Sequence, residues 1–254
     1  VAANDRQARE ERARLRTYQA RQEVHRRSVR RRKRDDVIAG IALVVVLALA
    51  TGAQLLYFSA GPGAPEAATP TPTPTATPVP VPSADLAEDR TWVGALTLND
   101  TALSIELDGA AAPQAVSSTI SLVQSGFYDG LTCHRLTTEG IFVLQCGDPN
   151  GDGSGGPGYS YGPIENAPED GVYPAGTIAM ARQSGNAESQ GSQFFIVYED
   201  TTLPADAAGG YTVIGRVTSG LDELRADITD YGTADGSTDG APVRPVSITD
   251  FAVE

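Results

Sequence analysis

Apolar residues follow two different patterns along this chain. From Val37 to Ser59 runs a block of 23 residues without a charge, with Gln54 its one strongly polar side chain. Beyond residue 88 the apolar positions come instead in short groups separated by Gly, Pro, Asn, Asp and Thr. There Val93–Thr97 and Leu103–Leu107 flank an Asn99-Asp100 turn and read as paired strands. Pro113 to Gln124 reads as a helix: Pro opens it, Val116, Ile120 and Val123 recur on one face, and Gly126 stops it. Phe194–Tyr198 and Tyr211–Val217 read as further strands, Leu221, Leu224 and Ile228 as a second short helix, and Val246–Val253 as a last strand. Many short strands with two helices predict a mainly β domain, a closed barrel with helical caps.

Charge divides the chain at the apolar block. The first 36 residues carry 13 of the 19 Lys and Arg and six acids, whereas the rest carries 26 acids against six basic residues. About 20 apolar residues cross a hydrocarbon core, so residues 37–59 are predicted to be a single transmembrane helix. The flanking basic residues then put the N-terminus in the cytoplasm and the C-terminal part outside. The expected localisation is therefore the cell membrane, single-pass. Cleavage near Ser59-Ala60-Gly61 stays open as an alternative. Residues 1–36 read as a basic cytoplasmic tail whose charge is a topology signal resting on anionic lipid. No nucleic acid is expected there, because Tyr18 is the tail's one aromatic and single strands need a stacking set. From Gly61 to Ser83 eight prolines interleave with Thr, which favours an extended spacer. Residues 60–87 are taken as this linker and residues 88–254 as the folded domain.

The domain is poor in catalytic acids and bases. It has one histidine, His134, and two cysteines. Neither a zinc-ligand spacing nor a nucleophile-elbow sequence is present. The Gly-rich stretch Gly151–Gly158 lacks the Gly-Lys-Ser/Thr of a phosphate loop. Asp148-Pro-Asn-Gly-Asp-Gly153 resembles the start of a calcium loop, but its twelfth position is Tyr159 where a bidentate Glu is required. No metal and no cofactor are expected. Rotation about an X-Pro bond remains open to such a site, since it breaks no covalent bond. It asks for an apolar slot and for a donor that favours the twisted amide, and a guanidinium is always charged with fixed N–H groups.

Four pieces of sequence then fall in one order: Phe127-Tyr128-Asp129-Gly130 leading to His134-Arg135, Gln145 followed by Gly147-Asp148, Met180-Ala181, and Gly191-Ser192-Gln193-Phe194-Phe195-Ile196. Together they resemble the cyclophilin family of peptidyl-prolyl isomerases, from about Thr91 to Val253. The resemblance implies a closed antiparallel eight-stranded β-barrel capped by two α-helices, acting on proline-containing polypeptides in exported or envelope proteins, as a monomer. It implies that Arg135 is the catalytic donor to the prolyl nitrogen. By the same resemblance Phe142, Val143, Phe195 and Leu203 form the proline pocket, and Gln145 and Gln193 bind substrate backbone. Ala181 and Arg182 lie on the rim, with the Arg182 main chain pairing with substrate, and Tyr211 stands at a pocket edge where His is frequent. The chain departs from the family in three places. The turn Leu136–Gly140 is longer by two residues, Tyr211 replaces the frequent His, and Thr202-Leu203 stands where the family has a pocket tryptophan. Two other readings remain on the same fold: a non-catalytic peptide-binding chaperone and an envelope scaffold.

The cysteines admit a geometric expectation. Side chains alternate along a strand, so Cys133 shares the face of Arg135 while Cys146 points away from that of Gln145. If Arg135 and Gln145 share one face, the thiols diverge and both are expected to be free.

Overall fold

The structure is a computed structural model. It describes residues 79–254 and, nearer the N-terminus, residues 34, 38, 40, 41 and 43–57. The chain divides into two compact units, Val1–Thr75 and Ala76–Glu254. In the first unit residues 43–57 form continuous helix with Leu47, Leu49 and Leu55 exposed. Among the described residues no helix is long and apolar enough to cross a membrane. The spanning helix expected over 37–59 is thus not found among them, several of its residues being outside the described set. The basic tail, Arg34 apart, and most of the proline-rich spacer also lie outside the described residues.

The second unit is mainly β. Its elements are β1 (Thr91–Leu98), β2 (Thr101–Asp108), α1 (Pro113–Gln124), β3 (Thr132–Thr137), β4 (Val143–Asp148), β5 (Val172–Tyr173), β6 (Thr177–Met180), β7 (Phe194–Val197), β8 (Thr201–Thr202), β9 (Val213–Ser219), α2 (Leu221–Asp227), β10 (Asp239–Gly240) and β11 (Ile248–Val253). The main sheet has nine strands, not the expected eight, in the order β10-β3-β4-β7-β6-β9-β2-β1-β11, and β5 and β8 form a separate ribbon. The sheet curls until Cys133 N donates to Val246 O at 3.0 Å and Ile248 N donates to Leu131 O at 2.8 Å. Strands β3 and β11 are joined by these few bonds and the Thr132–Ser247 bridge rather than by a full strand pair. The result is a curled half-barrel, which corrects the expectation of a fully closed one.

Local chemistry explains the elements that frame the site. Asn99 takes the left-handed conformation, φ 55°, between β1 and β2, a backbone region that asparagine tolerates better than most residues. Its side chain accepts from Ser247 N at 2.9 Å and donates to Pro245 O at 3.0 Å, drawing β11 alongside. Helix α1 begins with Pro113 and has no side-chain cap of its own. The Glu165 carboxylate instead accepts from Gln114 N at 3.1 Å and Ala115 N at 2.9 Å, satisfying orphan donors where negative charge is favoured. The helix buries Val116 and Ile120 in the main core, in one cluster with Leu96, Leu103, Ile105, Phe194 and Ile196 of the sheet, each fully buried side chain of this kind contributing about 1.5–3 kcal/mol.

The domain begins earlier than residue 88. A 3-10 turn, Ala84–Ala87, follows the Ser83 cap. Ser117 Oγ on α1 donates to Ala84 O at 2.8 Å and accepts from Ala87 N at 2.9 Å. The indole of Trp92 donates to Ala87 O at 2.8 Å. Residues 82–87, read from the sequence as linker, are therefore tied to the domain, with Gln114 Nε2 donating to Pro82 O.

Candidate active site

Strand alternation sorts the side chains of β4, β6 and β7 into two sets. Leu144, Cys146, Ile178, Met180, Phe194 and Ile196 point into the main core. Val143, Ala179, Phe195 and Val197 point the other way and meet Tyr173 and Leu203 in a second apolar cluster, with Ile141, Ala181, Tyr211 and Val213 packed at its margin. The Tyr211 ring stands edge-on to Phe195 at 5.5 Å. Its backbone N–H donates to the Tyr173 hydroxyl at 2.8 Å.

A polar row crosses the strands beside this cluster. Arg135 pairs with Gln145, Gln145 with Phe195, and Phe195 with Ala179. With neighbouring strands about 4.8 Å apart, the backbone of Arg135 lies two strand spacings from that of Phe195. Arg135 Nη1 donates to Gln145 Oε1 at 3.3 Å, Gln145 Nε2 donates to Gln193 Oε1 at 2.8 Å, and Gln193 Nε2 donates to Gly155 O at 2.9 Å. At the outer end the Asp239 carboxylate accepts from Arg135 Nε and Nη2, both at 2.7 Å. This pairing raises the Arg135 pKa and holds Asp239 below the usual carboxylate range. Of the five N–H donors of a guanidinium, two go to Asp239 and one to Gln145, so among the described residues two remain without a partner, one on each terminal nitrogen.

The row is close-packed underneath. Gly147 has φ 84°, and a Cβ there would lie 2.5 Å from Ser192 O, so no side chain fits. Ser192 Oγ donates to Gly147 O at 2.7 Å, and the buried Tyr128 hydroxyl donates to Ser192 O at 3.0 Å. These contacts set the segment carrying Gln193 against β4. A polar cleft of about 240 Å³ adjoins the row, lined by Gln145, Gly155, Ala181, Ser189 and Gln193 among others.

One expected pocket residue sits elsewhere, and one expected rim residue has its side chain bound up inside the protein. Phe142 packs against the main core and meets Tyr198 edge-on at 6.0 Å. Ile141 is the neighbour that joins the second cluster instead. The Arg182 side chain is 1% exposed and bound up within the protein. Its Nε donates to Gly210 O, its Nη1 to Gln183 O and Asp206, and its Nη2 to Asp206 and Gly209 O. All five N–H groups thus have acceptors. Stacked over the Tyr211 ring at 4.6 Å, the guanidinium anchors the 204–211 loop and through it the pocket edge. The side chain is structural, whereas the sequence placed the residue on the rim through its main chain.

The two cysteines form a disulfide, which overturns the expectation of free thiols. Cys133 pairs with Cys146 but Arg135 with Gln145, so two residues on β3 oppose one on β4. This bulge leaves His134 as the extra residue. It turns Cys133 into the core with Leu136 while Arg135 stays on the outer face.

His134 itself supports no nucleophilic chemistry. Among the described residues neither ring nitrogen has a hydrogen-bond partner, and burial lowers its pKa against the opposing pull of Asp148. A base in a triad needs a group to orient it. Asp148, at the head of the calcium-like run, turns its carboxylate onto the backbone N–H groups of Asn150, Asp152 and Gly153. No group of three or more His, Cys, Asp or Glu able to hold a metal occurs among the described residues.

An apolar cluster beside an arginine with two donors to spare, on the outer face of a curled antiparallel sheet, suits a protein that binds and twists a peptide. The sequence profile described as cyclophilin type peptidyl-prolyl cis-trans isomerase/CLD matches residues 95–253. The chain belongs to the cyclophilin-type peptidyl-prolyl isomerase family. It is 41% identical over 174 residues to a probable peptidyl-prolyl cis-trans isomerase B of Mycobacterium tuberculosis, covering 63% of this chain and 54% of that one. It is 42% identical over 120 residues to the peptidyl-prolyl cis-trans isomerase B of Bacillus subtilis, covering 47% of this chain and 78% of that one. The chain thus spans about half the length of the mycobacterial relatives. Among solved structures, a cyclophilin type isomerase of Cryptosporidium parvum aligns with TM-score 0.54 at 25% identity, over 65% of this chain and 98% of that one. A structure of the same protein in the presence of the dipeptide Ala-Pro aligns at 0.53.

Proposed function

We propose that this chain is a peptidyl-prolyl cis-trans isomerase that assists folding of exported or envelope proteins. The observation that carries the reading is the row Arg135-Gln145-Phe195, which sets a charged donor beside an apolar cluster. A prolyl ring would seat on Phe195, Val143 and Leu203. Gln145 and Gln193 would engage the flanking peptide groups. As the amide twists it loses resonance, its nitrogen gains a lone pair, and a guanidinium N–H then stabilises the twisted state more than the planar one. The barrier of roughly 18–20 kcal/mol is lowered by such differential binding. Exchange spectroscopy on an Ala-Pro-Phe-type peptide tests this. The full chain is expected to speed cis/trans exchange, whereas binding without acceleration would favour the chaperone reading.

The chain is further proposed to act outside the cytoplasm, tethered through residues 37–59. Three observations support this: the charge asymmetry about that block, the helix at 43–57 with exposed apolar side chains, and the disulfide, which persists in oxidising compartments. Protease added to spheroplasts is expected to cut between Gly61 and Ser83 and release the domain while Val1–Ser59 stays protected. Cleavage of the basic tail with the domain intact would reverse the orientation.

A further inference from the structure

Asp239 is the charged group that contacts Arg135 among the described residues. It lies 104 residues further along the chain, in a hairpin that leaves the body of the domain and returns. Ala234 N donates to Ala241 O at 2.8 Å and Val243 N to Gly232 O at 2.9 Å, closing this hairpin on itself. The Ser237 hydroxyl donates to Asp239 O at 2.9 Å. Strand β10 and the bond from Thr138 N to Thr238 O at 2.9 Å then fasten it to β3. The backbone that carries the Asp239 carboxylate is thus fixed independently of Arg135.

The pair's own stabilising effect is small, because the two side chains are 40% and 52% exposed and water and salt screen such contacts. Its geometry has another consequence. An arginine side chain has several rotatable bonds, and a single bond to Gln145 at 3.3 Å leaves the guanidinium plane free to turn. The two-point contact through Nε and Nη2 fixes both plane and direction.

We propose that Asp239 is a positioning residue for isomerisation: it holds the Arg135 guanidinium so that its two unoccupied N–H groups stay turned to the prolyl nitrogen. The proposal rests on the isomerase reading. A donor held in place before the reaction has less freedom to lose in the transition state.

The test compares wild type, Arg135→Ala, Asp239→Asn and Asp239→Glu in the full chain, by peptide exchange and by the ¹⁵N signal of the Arg135 Nε–H. A wild-type rate above that of Arg135→Ala establishes the reading; equal rates overturn it and Asp239's role with it. Given that difference, Asp239→Asn is expected to lower kcat on the order of tenfold, with KM within about twofold. Its Arg135 Nε–H should exchange faster with water, and Asp239→Glu should recover part of both effects. The melting temperature should stay near that of wild type. An unchanged kcat in Asp239→Asn, or an unchanged Nε–H exchange, overturns the positioning role while leaving the isomerase reading intact.

Discussion

Arg135 and Arg182 are the same kind of side chain in opposite situations, and counting their donors separates them. Arg182 has all five N–H groups bound within the protein, so its work is to fix Tyr211 and the 204–211 loop. Arg135 leaves two free beside the apolar cluster. Sequence motifs located both residues but could not count their partners, because Asp206 lies in a loop and Asp239 in a two-residue strand, neither with a periodicity. The Arg182 guanidinium and the N–H groups of Gly185 and Ala208 hold the Asp206 carboxyl well below the usual carboxylate range. A depressed folded-state pKa gives stability that is present above the unfolded value, about 3.9, and lost as pH falls through the folded one. The melting-temperature gap between wild type and Asp206→Asn should therefore be steady at neutral pH and shrink below the ordinary carboxylate range. A gap that persists undiminished in strong acid would show that the charge of Asp206 is not what holds the loop.

At the level of elements, alternation was legible where strands are regular. It put Cys146 on the opposite face of β4 from Gln145, as observed: Cys146 lies in the main core while Gln145 bonds to Arg135 and Gln193. It failed on β3, where the bulge at His134 inserts one residue and reverses the parity between Cys133 and Arg135. No glycine marks that bulge, so the sequence carries no sign of it. Strand β10 has two residues, too few to leave a pattern. Helix α1 was legible end to end because its proline start and apolar spacing agree, although Glu165, which satisfies its first donors, lies 51 residues from Gln114. The disulfide closes a short loop, with a sequence separation of 13. Cross-links around loops of this size stabilise by about 2–4 kcal/mol. Replacing both cysteines with alanine should lower the unfolding free energy by about that amount in a denaturant titration. If mass analysis without reductant finds two free thiols, the bulge and its cross-link are wrong together.

Taken as a whole, the domain keeps two apolar clusters on opposite faces of one sheet. The inner one holds α1 to the curled strands, and the outer one lies beside the polar row, where the proline is proposed to seat. The inner cluster was readable as ordinary core. The outer became readable only when the four motifs were taken in order, since Val143, Phe195 and Leu203 look like core residues singly. Residues 82–87, taken from the sequence as linker, are tied to the domain by partners, Gln114 and Ser117, that lie 32 and 33 residues on in α1 and leave no local pattern. The proposed activity comes down to the guanidinium of Arg135. Exchange spectroscopy on an Ala-Pro peptide with wild type and Arg135→Ala measures it directly. The variant is expected to lose exchange rate on the order of a hundredfold while peptide affinity changes about twofold or less. Equal rates in the two proteins would contradict the assignment.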